Sequence, residues 1–358
     1  MVVQRADGLA LFDDAAKPIT NVPGNFLKTA IAPFVDSRAA KQMAAAAIQK
    51  QAPSKEPAEN GLALQIFQID GALIASHFLP HGFDAPLPQF CFDARGAHLL
   101  LARPETAMLT FFSPQGEILH HTQLFQNAPF SLERPLFLAA SRDGFVALTQ
   151  FEASTPDSMR APMLFYFSND GKEKWRRELS PGTSGGAVVS GDGRRIAVCR
   201  YDVRDDVVES ETTIFGEAGQ FLAGAPVMFR HAHFTTTGKN LALATHDELL
   251  FMDSANGHLM MQMRLTAENE HIAAMSMDEQ DNVILLAGRS EFASGDFELV
   301  DARLFGVDSK GMEIFRQDLA ETLRGTPVLV VNAQRREILL AADGFLHRFR
   351  IDERRDDK

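Results

Sequence analysis

Cysteine is nearly missing from this chain: Cys91 and Cys199 are the only two in 358 residues, far apart and each inside an apolar, strand-like run. That distribution supports no disulfide framework and reads as two buried, unpaired thiols. Long hydrophobic runs are missing too. None approaches the ~18 residues of a membrane-spanning helix, so no membrane insertion is expected. The opening residues, MVVQRADGLALFDD, lack the basic and apolar regions of a signal peptide. Positive charge is in deficit, with 35 Lys and Arg against 47 Asp and Glu and a formal net charge of −12. Such a chain repels phosphate backbones and anionic lipid, which argues against nucleic-acid binding. Together these features predict a cytoplasmic protein. No Walker A, H-E-x-x-H or paired CxxC motif occurs, so no metal and no cofactor is expected.

What the chain does have is a repeat. Sixteen-residue stretches align from Leu64 (LQIFQIDGALIASHFL), Leu109 (LTFFSPQGEILHHTQL), Leu164 (LFYFSNDGKEKWRREL), Thr212, Leu250 and Leu304. The eighth residue is always glycine: Gly71, Gly116, Gly171, Gly219, Gly257 and Gly311. Glycine makes up ~7% of ordinary sequence, so six coincidences are not chance. Apolar, aromatic-rich ends around an Asn/Asp/Gly centre predict a β-hairpin, and an isolated hairpin must join a larger sheet to be stable.

Upstream of each copy runs a second pattern of strand, polar turn and strand, as in QFCFDARGAHLLLAR at residues 89–103 and GAVVSGDGRRIAVCR at residues 186–200. The unit is therefore four strands recurring every ~40–55 residues, the period of a β-propeller blade. The expected fold is all-β: one seven-bladed β-propeller domain of four-stranded blades over residues 1–358. The blades fall at 25–79, 88–124, 135–179, 185–227, 231–265, 272–319 and 327–351. Residues 8–14 are expected to close the ring as the outer strand of the last blade, because LHRFRIDE from Leu346 matches only the first half of a repeat. The alternative is six blades and an N-terminal helix, since RAAKQMAAAAIQK at residues 38–50 is a strong helix former.

These units resemble the WD40, YVTN and quinoprotein group of β-propellers across essentially the whole chain. The closest local likeness is to the quinoprotein repeat, where Gly-Lys-x-x-Trp follows a strand. Only Gly171-Lys172-Glu173-Lys174-Trp175 carries it, and the other copies place Ala75, His120, Ala223, Met261 and Phe315 at the Trp position. The Trp-Asp and Gly-His signatures of WD40 repeats are absent. The resemblance implies the fold, and fold does not imply function.

Few segments offer chemistry. GTSGG at residues 182–186 satisfies G-x-S-x-G, but a nucleophile elbow needs a strand before it and a helix after it, and a loop is expected here. His231 and His233 alternate on an expected innermost strand and would face the central channel. The second strands end near Arg103, Gln150, Arg200, His246 and Arg289, which would gather at the channel mouth as a polar or anion site. Long second-to-third-strand loops are expected at residues 151–163, 201–211 and 290–303, two of them acidic. Between blades on the same face lie Phe83, Leu87, Phe125 and Phe130.

An apolar patch (Phe83, Phe125, Phe130) beside acids (Asp205, Asp206, Glu209) fits a protein partner. The expected role is a non-catalytic protein-interaction or scaffold module using this face and the channel mouth. The alternative is a propeller-type enzyme, hydrolase or lactonase-like, or a small-anion sensor. Its polar site would draw on Arg103, Arg200, His231, His233, His246 and Arg289.

Overall fold

A computed structural model describes residues 2–5, 8–12, 18–23, 26–31, 45–50, 61–68, 70–81, 85–124, 137–149, 161–204, 207–265, 267, 269–293, 296–332, 337–342 and 345–350. Apart from one short 3-10 turn at Pro104–Thr106, every described element is a strand. The strands form eight antiparallel sheets in chain order, two of three strands, five of four and one of five. The innermost strands touch in succession: Val2–Arg5, Phe26–Ile31, Gln89–Phe92, Phe137–Ala140, Thr183–Val189, His231–Phe234, His271–Met277 and Val328–Asn332. This is a β-propeller.

The core lies between sheets, which explains the apolar runs. In the fourth sheet, Phe165 and Phe167 face one way, onto Leu109 and Phe111 of the third. Leu164 and Tyr166 face the other way, onto Ile196 and Val198 of the fifth. A strand buried on both sides loses the polar alternation of a half-exposed one. The charged, exposed strands are the outermost, such as Glu173–Glu178.

Each repeat hairpin holds its glycine at positive φ, between +74° and +87° across the six copies. In the Gly171 turn the glycine N–H donates to the Ser168 carbonyl at 3.0 Å, and the register slips by one residue between Tyr166 and Phe167. That is a three-residue turn with a glycine bulge, which needs the left-handed conformation at that position. The glycine also docks between sheets. A Cβ on Gly219 would lie 2.9 Å from the Trp175 ring of the preceding sheet, and the Trp175 indole N–H donates to the Glu217 carbonyl at 2.7 Å. Ala75, His120, Ala223 and Met261 meet the glycines of the next copies in the same way. The same contact between a turn glycine and the preceding outer strand thus recurs from sheet to sheet with different side chains.

Two expectations are corrected and one alternative is set aside. Gly8–Phe12 does not close the last sheet. It pairs on both edges, with Val2–Arg5 and with Pro18–Pro23, as the middle strand of a first sheet of its own. That sheet accounts for the difference between seven expected blades and eight observed sheets. It occupies a full place in the ring: Gly71 docks on Thr20 and Val22 as other repeat glycines dock on their preceding sheets. Closure comes by packing, with Ala10 against Ala341 and Leu346 of the last sheet.

Second, the helical alternative falls away: Ala45–Lys50 is a strand, as a blade at 25–79 requires, residues 38–44 lying outside the described set. Ala45 and Ala47 face the first sheet, while Ala46 and Ile48 face the third. Helix propensity is a weak prior, and burial on both faces overrides it. Third, Thr183–Val189 is an inner strand, so Ser184 of GTSGG sits in a sheet rather than a loop, and no helix follows it.

Two substitutions test the docking contact. Gly219→Ala should destabilise the fold by about 1–3 kcal/mol, through strained φ and collision with Trp175. Gly191→Ala, whose Cβ meets nothing within 4 Å, should be near neutral. Denaturation midpoints of the two variants would show it; equal midpoints contradict the contact. Deleting residues 1–23 should uncover Phe26, Ala45 and Ala47 and abolish a single cooperative unfolding transition. A truncated chain as cooperative as the parent would show that the first sheet is dispensable to the ring.

Candidate functional site

Antiparallel order sorts the ring into two faces. The glycine turns between third and fourth strands lie on one. The starts of the inner strands and the second-to-third-strand connections lie on the other, and this second face carries the irregular features. In the fifth sheet the second and third strands extend to ten residues each, Arg195–Arg204 and Val207–Gly216. In the seventh they reach Val283–Ala293 and Asp296–Val307. The expected loops at 201–211 and 290–303 are thus mostly continued strands, and two hairpins project from the ring.

Near their ends both hairpins expose apolar residues. Val203 pairs directly with Val208, and Val203, Val207 and Val208 are 58%, 59% and 58% exposed. On the other hairpin Phe292 pairs directly with Phe297, their rings edge to face at 5.3 Å, yet they remain 67% and 64% exposed. This second projection is braced. Leu323–Arg324 adds a short strand to its outer edge at Glu298 and Leu299, and Arg324 binds Glu298 at 2.8 Å. Its base is bent, with the register slipping between Ala287 and Arg289 and Asp301 at φ +51°, as a bulge requires.

Beneath the fifth-sheet hairpin lies a cavity of about 610 Å³ lined by Pro181, Arg200, Tyr201, Glu209, Glu211 and Phe221, among others. Arg200 is fully engaged there, donating to the Ser180 carbonyl at 2.7 Å and to Glu211 at 2.5 Å. Asp202 stands opposite Glu209 in the ladder, which gives the cavity an acidic lip.

The structure therefore brings Arg200 and Glu209 together. Phe83, Phe125, Phe130, Asp205 and Asp206 lie outside the described residues, as does Gln150. Arg103 binds Glu105 at 2.9 Å and the Pro80 carbonyl at 2.8 Å. Arg289 binds Asp301 at 2.9 Å and Glu291 at 3.0 Å. Each of these three arginines is thus held by acids of its own sheet. His231 and His233 reach the neighbouring inner strand, hydrogen bonding to the Ile272 and Met275 backbone. Burial is the main cause that lowers both imidazole pKa values. His233 keeps surface open to the channel while protein surrounds it. His246 is exposed and stacks on His271 with centroids 5.6 Å apart.

Among the described residues no group of three His, Cys, Asp or Glu side chains is placed to hold a metal. Sequence reasoning missed Val203, Val208, Phe292 and Phe297. Their signal was present in the alternation around DVRDDVVE and EFASGDFE, which reads as strand, polar turn, strand.

Neither thiol is held as a thiolate, although Cys91 is partly exposed where burial was expected. Burial, then Asp93, pushes Cys91 up to about 12, and burial pushes Cys199 up to about 11. Thiolate is the reactive form, so both should resist iodoacetamide at neutral pH in the folded protein and react on unfolding. Rapid native labelling followed by mass spectrometry would contradict the packing around them.

No protein-family model and no curated protein sequence matches the chain. Solved structures do. BamB from Moraxella catarrhalis matches with TM-score 0.55 and 10% identity, over 98% of this chain and 93% of BamB. The C-terminal WD40 domain of Sif2 matches with TM-score 0.52 and 11% identity, over 89% of this chain and 93% of that domain. Raptor from Chaetomium thermophilum matches with TM-score 0.57 and 9% identity, over 93% of this chain but only 28% of Raptor. Identities this low speak for architecture alone: the chain has the β-propeller fold of WD40-like proteins.

Proposed function

We propose that this chain is a non-catalytic protein-interaction module whose working surface is the face bearing the two projecting hairpins. One observation carries the reading. Each hairpin is built to hold apolar side chains in solvent, with Phe292 and Phe297 still 67% and 64% exposed although the hairpin beneath them is braced. Rigid, exposed apolar groups rimmed by polar ones mark binding surfaces. A prepositioned aromatic pair also loses little entropy on docking.

The partner is a protein with an apolar pocket and a basic rim. Glu209 at the cavity lip, with the acidic pair Asp205 and Asp206 close to it in sequence, would steer such a partner and fix its orientation, while the valines and phenylalanines supply the affinity. By sequence position the same face takes in Phe83, Phe125 and Phe130, which would widen the apolar patch. The module is placed in the cytoplasm, a placement supported by its two unpaired cysteines. No helix among the described residues is long and apolar enough to cross a membrane.

The test is quantitative capture from the native cells on immobilised protein. Phe292→Ser with Phe297→Ser, and separately Val203→Ser with Val208→Ser, should weaken capture of a stoichiometric partner by about 2 kcal/mol or more, as hot-spot residues do. Circular dichroism must show both variants folded. Gln115→Ala with Lys310→Ala, on the glycine-turn face, should change nothing. Partners retained by the hairpin variants and lost by the turn-face variant would overturn the assignment.

A further inference from the structure

On the hairpin face Arg230 stands among histidines with no carboxylate partner among the described residues, within a chain of net charge −12. Arg230 leads into the inner strand His231–Phe234 of the sixth sheet, its backbone N–H donating to the Ala244 carbonyl at 2.8 Å. Its side chain is exposed, and among the described residues no carboxylate pairs with it. His231 is next in the chain. His271 begins the neighbouring inner strand, His271–Met277, and is stacked flat on His246 with an interplanar angle of 7°.

The nearest acids in sequence are occupied elsewhere. Asp247 binds Arg264 at 3.0 Å, Glu270 binds Arg303 at 2.6 Å, and Glu248 accepts from Gln262 at 3.1 Å. The charged or titratable groups acting on His231 are His233, Arg230 and His271; those acting on His271 are His246 and Arg230. The Ser290 hydroxyl lies 3.4 Å from His271 Nε2. Beside this cluster a cavity of about 300 Å³ opens between three inner strands, lined by Arg230, His231, His233, Leu138, Gly186 and Val188, among others.

We propose that Arg230, His231 and His271 form a binding site for a small oxyanion, and that binding draws protons onto the two histidines. Arg230 supplies a planar fork of donors suited to carboxylate or sulfate geometry. Neutral His231 spends its ring N–H on the Ile272 carbonyl; a second proton creates a second donor for the anion. The cavity that Arg230 and His231 line, without His271, is about 300 Å³, the lower end of small-ligand pockets, and suits a small acid rather than a nucleotide.

In the empty site, burial first and the neighbouring cations second hold His231 and His271 below the usual histidine range. An anion reverses the sign of that local potential and raises both values. By linkage, protonation must tighten anion binding by the same factor. The pH dependence of stability follows. Between the unfolded value of about 6.5 and the lower folded value the unfolded chain binds more protons, so stability falls as pH drops through that window. A bound oxyanion offsets the loss. This inference does not rest on the protein-binding role of the hairpins.

The experiment uses the full chain and histidine Cε1–H resonances. Sulfate and formate serve as separate probes, because both keep constant charge between about pH 5.5 and 7.5, and sodium chloride at matched ionic strength is the blank. Saturable shifts of His231 and His271 are expected, with a Kd about tenfold lower at the acidic end. Arg230→Gln should raise Kd about tenfold or more, and His271→Gln should flatten the pH dependence. Saturation by formate only would identify a carboxylate ligand, and saturation by sulfate only a tetrahedral one. Shifts that grow linearly with both salts, or a Kd unchanged by Arg230→Gln, would overturn the site. A Kd independent of pH would overturn the coupling.

Discussion

The contact between a repeat glycine and the sheet before it is the constraint on which the ring depends. The turn forces the glycine to positive φ, and a side chain of the preceding outer strand then occupies the space where its Cβ would be. Ala75, His120, Trp175, Ala223 and Met261 all fill that role. With a large side chain the glycine is covered by its atoms, as the Met261 sulfur covers Gly311; with a small one the backbones approach, and Gly257 comes to the Gly224 carbonyl. The spacing of the outer edges is thus set by one missing methyl group and tuned by a variable partner. Each sheet's two faces can then fill with aromatic and aliphatic side chains without gaps.

Charge is distributed with the same economy. The arginines at the ends of the second strands are neutralised locally, Arg103 by Glu105, Arg200 by Glu211 and Arg289 by Asp301. On the braced hairpin Glu291 stands directly opposite Glu298, and Arg289 and Arg324 offset that repulsion. Arg230, in contrast, pairs with no carboxylate among the described residues. The hairpin face therefore carries two projections with exposed apolar residues, on the fifth and seventh sheets, and Arg230 lies on the sheet between them.

The repeat was legible because its glycine is obligatory and its period survives drift in every other position. The propeller class followed from that register alone. The first sheet was not legible, because its strands carry no glycine-eight hairpin: Thr20 and Val22 perform the docking from an otherwise unmarked stretch, PITNVP. The alanine strand at Ala45–Lys50 left a helical alternative open because alanine favours helices in isolation, while here it reports only narrow space between two sheets. At the candidate site, charge and histidine positions could be read, but not their partners. Arg103 and Arg289 looked convergent in sequence, and each is tied to its own sheet. Arg230 and His271 were passed over because what singles them out is the absence of an acid nearby in space, which no linear pattern records.

Closure by packing rather than by strand exchange changes what the order of sheets means. The first sheet meets the last through Ala10, Ala341 and Leu346, and among the described residues neither borrows a strand from the other. The seam is then of the same kind as the other joints, a contact between two self-contained sheets. A circularly permuted chain, joined across this seam and opened between any other two neighbours, would keep every hydrogen-bonded ladder whole. A ring clasped by a shared strand has no such freedom, because rejoining its ends would have to preserve the one sheet built from both.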